Sequence, residues 1–597
     1  MNSILLTVNS PSWKLVSRLW NHFGSKRKFQ CGLVFLLMIF ASFAEVVSIG
    51  VVLPFLSVLT APDNIFRHAV AQPFIQALNL TEASQLLLPV TVIFSIASLL
   101  SGILRITLLW AQTRLSFAIG ADLSFSIYLR TLYQPYSVHA ARNSSELISG
   151  IANKANSIVY ATLLPIAIVV SSLMMMVSIL VILFAIDPVI AISTFMSLGF
   201  IYLVIILSIR NILMRDGKRM NYEQNQVFKA LQEGLGGIRD ILVDGTQKVH
   251  AQIFRKADLP LRRATSNIAI LSALPRYAVE ASGMVLIGAV AYFLAISPAG
   301  IEGAIPVLGA LALGAQRLLP MLQQTYASWA SLRASRANLA DVLMLLDQPL
   351  PAHAGDEILS SPLPFNKSIT LNTLAFKYTR DTPWVLSPGL NLCIHKGSRI
   401  GFIGATGSGK STVLDIIMGL LHPTIGSLVI DGVNIDEHNQ RGWQSHIAHV
   451  PQAIFLADVS IAENIAFGVP LEDIDHDRVR EAAQKAQIAQ AIESWSKQYS
   501  TVVGERGVRM SGGQRQRIGI ARALYKKADV IVLDEATSAL DNDTESSVMA
   551  AIESLEDDLT VIIVAHRLST LKNCSQIVEL CDGQIKRIGS YVDIVEQ

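Results

Sequence analysis

Cysteine and charged residues are both scarce in this chain. There are four cysteines in 597 residues, and only 16% of the residues are charged. The cysteines form no CxxC pair and have no histidine at ligand spacing, so the sequence predicts neither a disulfide framework nor a zinc site. Soluble proteins average about 25% charged residues, so a chain this poor in charge and 51% hydrophobic is not wholly soluble. The four cysteines are Cys31, Cys393, Cys574 and Cys581.

An excess of either charge sign is also lacking. Lys and Arg together number 48, Asp and Glu number 46, and the formal charge is +2. This balance favours neither a nucleic-acid-binding surface nor an acidic tail, and we expect no nucleic-acid partner. The length excludes a single compact domain, because about 150 residues per domain would give roughly four units.

Long apolar runs occupy the first part of the chain, before about residue 330. Each run approaches or exceeds the roughly 20 apolar residues that cross a bilayer as a helix. Buried helices of a soluble bundle would need polar faces at helical period, and the run from Ile168 to Phe184 has almost none. The six predicted spans are about 29–60, 86–109, 158–186, 189–209, 277–296 and 304–321.

Basic residues are concentrated on one side of these spans. They precede the first span and fill the segments 110–157 and 210–276, whereas the opposite connections hold only Arg67. Because Lys and Arg near span ends stay on the cytoplasmic side, both termini are predicted to be cytoplasmic. The first run is too long for a cleavable signal peptide and lacks a small-residue cleavage site. We expect it to act as an uncleaved anchor in the inner (plasma) membrane of a bacterial cell.

The sequence predicts three consecutive parts. Residues 1–345 form a transmembrane domain, whose two long cytoplasmic connections are predicted to be helical extensions of the spans. Residues 346–366 contain Pro349, Pro351 and the segment Ser360 to Pro364. Prolines and serines of this kind interrupt helices and strands and are typical of a linker. Residues 367–597 alternate short β-rich runs with helical stretches, as in an α/β domain.

A phosphate-binding loop lies early in this last part. The sequence from Gly404 to Ser411 fits G-x-x-x-x-G-K-[ST], follows the strand-like run Arg399 to Ile403 and precedes the helical run Thr412 to Leu421. Its backbone N–H groups would wrap phosphate oxygens, Lys410 would reach the β- and γ-phosphates, and the Ser411 hydroxyl would bind Mg²⁺. The fold class is therefore an all-α transmembrane bundle followed by an α/β P-loop NTPase domain. The predicted phosphate-binding residues are Gly404, Thr406, Gly407, Ser408, Gly409, Lys410, Ser411 and Thr412.

Carboxylates and a second glycine-rich turn suggest the rest of the chemistry. An apolar strand, 530–533, ends in Asp534 and Glu535, which are suited to a Mg²⁺ shell and to polarising an attacking water. Ser511-Gly512-Gly513 directly precedes the helical run Gln514 to Leu524, so this helix start also favours a phosphate. Two such cradles can serve one nucleotide if two chains meet face to face. His566 ends a further apolar strand and could bond a γ-phosphate, although a lone histidine is more often structural.

The segment Met510 to Gln514 resembles the signature motif of ATP-binding cassette (ABC) proteins, with Met510 in place of the usual leucine. Other elements follow in the family's order: Tyr378 resembles the adenine-stacking aromatic, Gln452 the Q-loop and His566 the switch histidine. Ser538 to Asp541 resembles the D-loop, and Gly504 to Gly507 resembles the X-loop of exporters. The resemblance covers the whole chain and is that of an exporter half-transporter, with six spans fused ahead of one cassette.

This resemblance implies a homodimer that hydrolyses ATP with Mg²⁺ at two sites, each combining Lys410 of one chain with Ser511 of the other. Glu535, His566 and Gln452 would be catalytic, and Tyr378 with Ser511, Gly512, Gly513 and Gln514 would join the P-loop in binding ATP. Mg²⁺ would be held by Ser411, Gln452 and Asp534. Coupling helices are expected near Ser137 to Asn143 and Val243 to Lys248.

Ionisable residues in or beside the spans are the candidates for substrate binding, because charge at membrane depth is costly without a partner. Arg276 and Glu280 can instead form an i,i+4 ion pair, and Arg276 can snorkel to the interface. The residues around these positions, including Pro54-Phe55 and Arg317 to Pro320, resemble lipid-linked oligosaccharide flippases of the PglK type. In that group Asn64 to Leu78 would be a short external helix; an ordinary loop is the alternative. The candidates are Glu45, Arg105, Arg276, Glu280 and Arg317.

The leading hypothesis is ATP-driven flipping of a polyprenyl-pyrophosphate-linked oligosaccharide, or a related glycolipid, from the inner to the outer leaflet. Guanidinium groups bind phosphate bidentately, which suits a pyrophosphate headgroup. Glycan-assembly enzymes are the candidate protein partners. The alternatives are a multidrug or lipid-A-type exporter, then a peptide exporter. In a different class stands a membrane-bound ATPase that signals or gates a channel, which would turn over ATP without moving a substrate.

Overall fold

The structure is a computed structural model, and it describes most of the chain. The described residues are 12–60, 62–67, 72–141, 155–186, 188–295, 318–351, 354, 363–379, 381–504, 507–536, 542–553, 558–565 and 567–595.

Two compact units make up the chain, and they are interleaved in sequence. The membrane unit comprises Met1–Gln134 and Arg142–Leu350, and the α/β unit comprises Pro135–Ala141 and Pro351–Gln597. The predicted linker, 346–366, lies partly outside the described residues, and its boundaries stay predictions. A seven-residue segment from the first half of the sequence is thus structurally part of the second unit.

The membrane unit is helical throughout its described part. Its helices are short near the N-terminus and very long afterwards, with α10 and α12 both 49 residues. Residues 318–334 are also helical. The bounds are α1 Ser12–Asn21, α2 Ser25–Gly50, α3 Val52–Thr60, α4 Pro62–Phe66, α5 Gln72–Ala77, α6 Leu87–Leu132, α8 Ala155–Ile158, α9 Leu164–Ile186, α10 Pro188–Gly236, α11 Ile238–Val243, α12 Gln247–Ala295 and α13 Arg336–Leu346. A 3₁₀ turn, Ala83–Leu86, precedes α6, and a π-helical turn, Val159–Leu163, joins α8 to α9.

Three segments of the described residues are long and apolar enough to cross a membrane: Ser25–Leu59, Ala83–Leu132 and Asn156–Ile182. They coincide with the first three predicted spans. The fourth and fifth predicted spans lie in α10 and α12. Residues 304–317 of the sixth lie outside the described residues.

The stretches that follow the second and fourth predicted spans are helical and continuous with those spans. α6 runs 46 residues, or about 69 Å at 1.5 Å per residue. α10 and α12 pack along each other, and α2 packs against α6 and α9. α12 continues through Pro260 and Pro275 without a break in its helical assignment.

The predicted short helices are only partly in place. Tyr136–Ala141 forms α7, one residue before the predicted start, and residues 142–143 lie outside the described part. The second coupling helix is expected near Val243 to Lys248; the short helix there is α11, which ends at Val243, and Asp244 to Thr246 turn the chain into α12. The described part of the segment 64–78 includes the end of α4 and the whole of α5, and residues 68–71 between them lie outside the described part.

The α/β unit is built on two sheets. A 4-stranded antiparallel sheet has the order β2-β1-β4-β5, and a 6-stranded sheet has the order β10-β9-β3-β8-β7-β6. The strands are β1 Ser368–Phe376, β2 Leu386–His395, β3 Arg399–Ile403, β4 Ile425–Ile430, β5 Val433–Asn434, β6 Ile447–Val450, β7 Val530–Asp534, β8 Thr560–Val564, β9 Gln576–Cys581 and β10 Gln584–Gly589. Its helices are α7, α14 Lys410–Ile417, α15 Gln440–Gln444, α16 Ile461–Ile465, α17 His476–Lys485, α18 Ala489–Glu493, α19 Gly512–Lys526, α20 Asn542–Glu553 and α21 Tyr591–Val595.

The larger sheet is mainly parallel and buried on both faces. β7 and β8 are apolar along most of their length, as expected for central parallel strands covered by helices. Phe402 of β3 and Trp443 of α15 are among the largest fully buried side chains, and they belong to the core between the two sheets. The carboxyl edge of this sheet carries the candidate site.

Candidate nucleotide site and membrane charges

The P-loop connects β3 to α14, as its motif predicts. Gly404 has φ of 150°, and a Cβ there would come 2.3 Å from the backbone oxygen of Leu580. Gly409 has φ of 98° and caps α14, where a Cβ would come 2.7 Å from Leu386. Only glycine fits both positions. The loop therefore presents its backbone N–H groups at the start of α14, where the helix dipole favours an anion.

Lys410 and Ser411 begin α14. The Lys410 ammonium donates to the carbonyl oxygens of Gly404 and Ala405, at 2.8 and 2.9 Å. Its side chain therefore lies along the loop that it follows. Ser411 is exposed, whereas Ser408 and Thr412 are buried, and the Ser408 hydroxyl has no hydrogen-bond partner among the described residues. Exposure of Ser411 leaves its hydroxyl accessible to a cation.

Strand register places Asp534 and Glu535 at the edge where the P-loop begins. Val564 of β8 is the register partner of Phe402 on one side and of Asp534 on the other. The Glu535 N–H donates to the Val564 carbonyl oxygen at 3.0 Å, and Glu535 has φ of 52°. A non-glycine residue in the left-handed region is strained, and such strain clusters at functional sites.

Gln452 lies beside Glu535. It follows β6, and its side-chain amide nitrogen Nε2 donates to Glu535 Oε2. This bond brings the predicted Q-loop residue and the predicted base together. Because the amide nitrogen is used, the carbonyl oxygen of Gln452 is the atom that can meet a cation.

A third carboxylate, Asp415, lies near Asp534. Burial first, and the charge of Asp534 second, raise the pKa of Asp415 to about 6. Burial and the neighbouring Glu535 raise the pKa of Asp534, while Lys410 opposes that rise. The edge of the sheet thus concentrates negative charge that a divalent cation would stabilise.

The second anion cradle begins α19. Ser511 is its N-cap: the hydroxyl accepts from the Gln514 N–H at 3.2 Å, and the Ser511 N–H donates to Gln514 Oε1 at 3.0 Å. This reciprocal pair is a capping box. Gly512 and Gly513 form the first turn, whose N–H groups have no intrahelical acceptor.

The predicted adenine-stacking residue, Tyr378, follows β1 and is 51% exposed. Its ring meets Phe376 edge-on, with centroids 5.0 Å apart. Tyr136 of α7 belongs to the same unit: burial raises its pKa, and Asp415 and Tyr378 contribute to the rise. An exposed ring held edge-on by a neighbour is suited to stacking on a base.

Several predicted residues lie outside the described part of the chain. The D-loop segment 538–541 and two X-loop positions, 505 and 506, belong to this group. So do the switch histidine, His566, and the membrane arginine, Arg317. Their roles stay predictions.

The membrane charges form two separate pairs. Glu45 is fully buried in α2; it pairs with Arg105 of α6 and accepts from the Ser101 hydroxyl at 2.7 Å. Arg276 and Glu280 form the i,i+4 pair considered above, with 2.9 Å between Nε and Oε1. Their side chains are 57% and 44% exposed. The first pair joins two helices within the membrane unit, whereas the second is accessible.

Three residues near the site were not anticipated. Asp415 lies four positions after Ser411, so helical spacing was a usable signal. Trp443 donates from Nε1 to the Ile417 carbonyl oxygen at 2.7 Å and fixes the end of α14. Arg522 of α19 donates to the carbonyl oxygen of Phe455, three residues after Gln452, at 3.0 Å. No short motif marks the last two, because their partners are distant in sequence.

The described residues contain no cluster of three or more His, Cys, Asp or Glu side chains that could by itself hold a metal ion. All four cysteines are free.

Comparison with known proteins identifies both units. The model of the ABC transporter family matches residues 388–538, and that of the ABC transporter transmembrane region matches residues 29–298. The heterocyst differentiation ATP-binding protein HepA of Nostoc sp. is 30% identical over 600 residues, covering 98% of this chain and 95% of that protein. The ATP-dependent lipid A-core flippase of Francisella novicida is 29% identical over 479 residues, or 79% of each chain.

A solved structure supports the same fold. The structure of a bacterial Atm1-family ABC exporter with ATP bound superposes with a TM-score of 0.76 at 22% identity, covering 95% of this chain and 96% of that one. The predicted fold class, a helical transmembrane domain followed by an α/β nucleotide-binding domain, is confirmed. The α/β unit thus carries the ATP-binding domain of an integral membrane protein. This chain belongs to the ABC transporter family, as an exporter-type member that couples ATP hydrolysis to transport.

Proposed function

We propose that this protein is a homodimeric flippase that moves a polyprenyl-pyrophosphate-linked oligosaccharide, or a related glycolipid, from the inner to the outer leaflet. Relatives named lipid A-core flippases support movement of a glycolipid. The orientation proposed places both termini and the α/β unit in the cytoplasm of a bacterial cell, following the one-sided distribution of basic residues.

ATP hydrolysis is proposed to use the side chains gathered at the carboxyl edge of the larger sheet. Lys410 would release the loop carbonyls that it now binds and meet the β- and γ-phosphates. Glu535 would orient and deprotonate the attacking water, and its bond to Gln452 holds the carboxylate in place. Tyr378 would stack on the adenine. His566 is the proposed partner of the γ-phosphate.

Mg²⁺ fits the residues present at this edge. Ser411, Gln452 and Asp534 offer oxygen ligands of the kind that Mg²⁺ prefers alongside phosphate oxygens. Burial first, and the charge of Glu535 second, raise the pKa of Asp534, and a divalent cation would favour its ionised form. Bound there, Mg²⁺ would neutralise charge on the transferred phosphate.

A second copy of the chain would complete each ATP site. The N-terminus of α19, with Ser511, Gly512 and Gly513, is a phosphate cradle separate from the P-loop, and one nucleotide has no need of two cradles from one chain. In a twofold dimer each α19 would face the partner's P-loop. Both sites would then be equivalent, since both copies carry Glu535 and Ser511.

The exposed Arg276–Glu280 pair is the observation that carries the substrate proposal. It lies where the fifth predicted span begins, and charge at membrane depth requires a polar partner or water. A pyrophosphate can displace Glu280 from Arg276, because guanidinium binds phosphate bidentately. Arg105 is less suited to this role, since the buried Glu45 already pairs with it.

The second candidate substrate is a lipid-A-type glycolipid, favoured by the names of the relatives that match over most of this chain. Lipid A carries phosphate groups on a multiply acylated sugar, so the same arginine could serve it. Glycan-assembly enzymes remain candidate partners under either substrate.

Reconstituted vesicles provide the test. Purified protein would be placed in liposomes with either a labelled polyprenyl-pyrophosphate sugar or a labelled lipid A, and the leaflet of each label measured with and without ATP. The variants are Glu535→Gln and Arg276→Ala, with Arg263→Ala as the matched control on the same helix, outside the predicted span. We expect ATP-dependent movement of the polyprenyl lipid in wild type and the control. Glu535→Gln should stop both movement and hydrolysis, and Arg276→Ala should stop movement alone.

Other results would reject parts of the proposal. Movement of lipid A alone would replace the first substrate by the second. Wild-type movement in Arg276→Ala would remove this arginine from the path. Hydrolysis without movement of either lipid would exclude the flippase function for these substrates and favour a signalling or gating ATPase.

A further inference from the structure

An apolar cavity of about 460 Å³ lies within the membrane unit, among α1, α2, α6 and the start of α9. Leu19 and Phe23 line it from the N-terminal segment, Met38 from α2, Ile119 from α6 and Val170 from α9. Its volume is in the range of ligand-binding cavities in proteins. Neither ATP binding nor the proposed substrate path uses it.

The cavity lies at the level of the inner leaflet, given the orientation proposed above. Its lining includes Lys28 and Cys31, in the first two turns of the helix that enters the membrane. Trp20 and Phe35 also line it and are 43% and 49% exposed, so apolar rings stand at its margin. Tryptophan is enriched at the membrane–water interface, and α1 has the alternation of buried and charged positions typical of an interfacial helix.

Two polar side chains interrupt the apolar lining. Gln112 is 5% exposed and Ser116 is 4% exposed, and both border the cavity. The amide nitrogen Nε2 of Gln112 has no hydrogen-bond acceptor among the described residues. A buried amide donor is costly without an acceptor, and rotation of the Gln112 side chain toward the cavity would let a ligand oxygen satisfy it.

Lys28 supplies an available positive charge at the same cavity. Arg18 pairs with Asp347, and Arg27 pairs with Asp122. Lys28 forms no ion pair within the described part of the chain, and it is the basic residue that lines the cavity. The site therefore combines a cation at the headgroup level, a buried donor and an apolar volume.

We propose that this cavity holds one anionic phospholipid of the inner leaflet as a resident ligand, separate from the transported lipid. An acyl chain fills the apolar volume, an ester carbonyl oxygen accepts from Gln112 Nε2, and the phosphate pairs with Lys28. An acyl chain alone would leave the Gln112 donor unpaired, and a protein segment would need its own anion at Lys28. A phospholipid carries all three groups in one molecule.

Lipid retention by the full-length protein tests this proposal. The protein in mild detergent would be titrated with phosphatidylglycerol or phosphatidylethanolamine of identical chains, and bound lipid counted by native mass spectrometry. The blocking variant is Gly32→Leu, since Gly32 lines the cavity and a Cβ there meets no atom within 4 Å. Gly50→Leu, in the same helix and equally open, is its control. Lys28→Gln has Lys26→Gln as its control, an exposed lysine outside the cavity.

We expect wild type to retain one phosphatidylglycerol per protomer at a concentration at least about tenfold lower than phosphatidylethanolamine requires. Gly32→Leu should lose this retention, and Lys28→Gln should lose the preference between the two lipids. Both controls should behave as wild type. Basal ATPase rate and apparent unfolding temperature, measured without lipid, would establish that each variant is folded.

Three results would overturn the proposal. The first is equal retention of the two lipids by wild type, and the second is unchanged retention by Gly32→Leu. The third is one-for-one displacement of phosphatidylglycerol by a polyprenyl-pyrophosphate sugar, which would make the cavity part of the transport path. None of these readouts uses ATP or transport, so failure here leaves the flippase proposal to its own test.

Discussion

Three side chains around the proposed ATP site would each have two tasks, one within the fold and one toward nucleotide. Ser511 caps α19, Lys410 binds the carbonyl oxygens of its own loop, and Gln452 binds Glu535. A substitution that removes either task alone would separate stability from activity. Ser511 offers the clearest separation of stability from activity, because another residue can take over its role as the N-cap of α19.

Replacing Ser511 by aspartate should preserve the fold and abolish hydrolysis. Aspartate is among the best N-cap residues and favours the positive end of the helix dipole, yet it would place a negative charge against a phosphate. We expect an unchanged unfolding temperature and an ATPase rate lower by about 100-fold or more. Ser511→Ala should instead destabilise the protein by about 1 kcal/mol through the lost cap. Calorimetry and phosphate release measure the two effects, and near-normal hydrolysis by Ser511→Asp would exclude contact with nucleotide.

Asp415 should make the stability of the α/β unit depend on pH. Its pKa is raised from 3.8 to about 6, so the folded state binds a proton more tightly than the unfolded state. Its contribution to stability is therefore full below its usual pKa and is lost as the pH rises through about 6. The Asp415→Asn variant has no ionisable group at this position. Its unfolding temperature relative to wild type should therefore rise between pH 5 and pH 8, until it is higher by about 2–4 °C. Calorimetry of the nucleotide-free protein measures it, and a difference that stays constant with pH would refute this origin.

Among the elements, α10 and residues 318–334 of the membrane unit approach each other closely at Gly217. A Cβ on Gly217 would come 2.2 Å from the backbone oxygen of Ala334 and 2.8 Å from its Cα. The cluster beside this crossing includes Leu213, Tyr326 and Ala330. Backbone atoms cannot move aside as a side chain can, so this crossing tolerates glycine alone.

Gly217→Ala should therefore destabilise the membrane unit, although alanine is the better helix former by about 1 kcal/mol. Overpacking typically costs about 1–3 kcal/mol, and a backbone contact is the less forgiving case. Gly234→Ala, in the same helix with no atom within 4 Å of its Cβ, is the matched control. It should leave stability unchanged or raise it. Thermal unfolding of both variants in detergent measures the difference, and a shift of the same sign in both would contradict the steric explanation.

Elements with a strong local signal could be predicted from the sequence. The P-loop strand 399–403 and the strand ending at Asp534 are present as predicted, and the first three spans could be placed because apolar runs need no partner to be recognised. The short helix α11 ends where the second coupling helix was expected to begin, because the turn at Asp244 to Thr246 depends on a glycine at φ 64° in an otherwise helical pattern. Local patterns do not reveal contacts between residues far apart in sequence. The hydrogen bonds donated by Trp443 and Arg522 and the Glu45–Arg105 ion pair are of this kind.

For the whole molecule, the proposed twofold dimer makes each ATP site a property of two chains. Lys410 and Ser511 of one chain would then serve different sites. If each site were instead completed within a single chain, Lys410 and Ser511 of that chain would act in the same site.

Two copies of the chain joined by a flexible linker test this arrangement. Lys410→Ala and Ser511→Asp in the same copy should damage both sites and leave almost no ATPase activity. The same two substitutions in different copies fall on one site, so roughly half of the activity of the linked wild type should remain if the sites act independently. Phosphate release measures both proteins. The opposite ranking would show that each site is completed within one chain.

The interleaving of the two units bears on how such transporters can exchange parts. Pro135–Ala141 is encoded with the membrane helices but belongs structurally to the α/β unit. A recombination event that replaced residues 351–597 with those of a relative would combine a foreign unit with seven native residues. Compatible exchange would need both segments to travel together, or the shared surface around Tyr136 to stay the same in both parents. The seven residues therefore set a limit on which hybrids of this chain and its relatives can function.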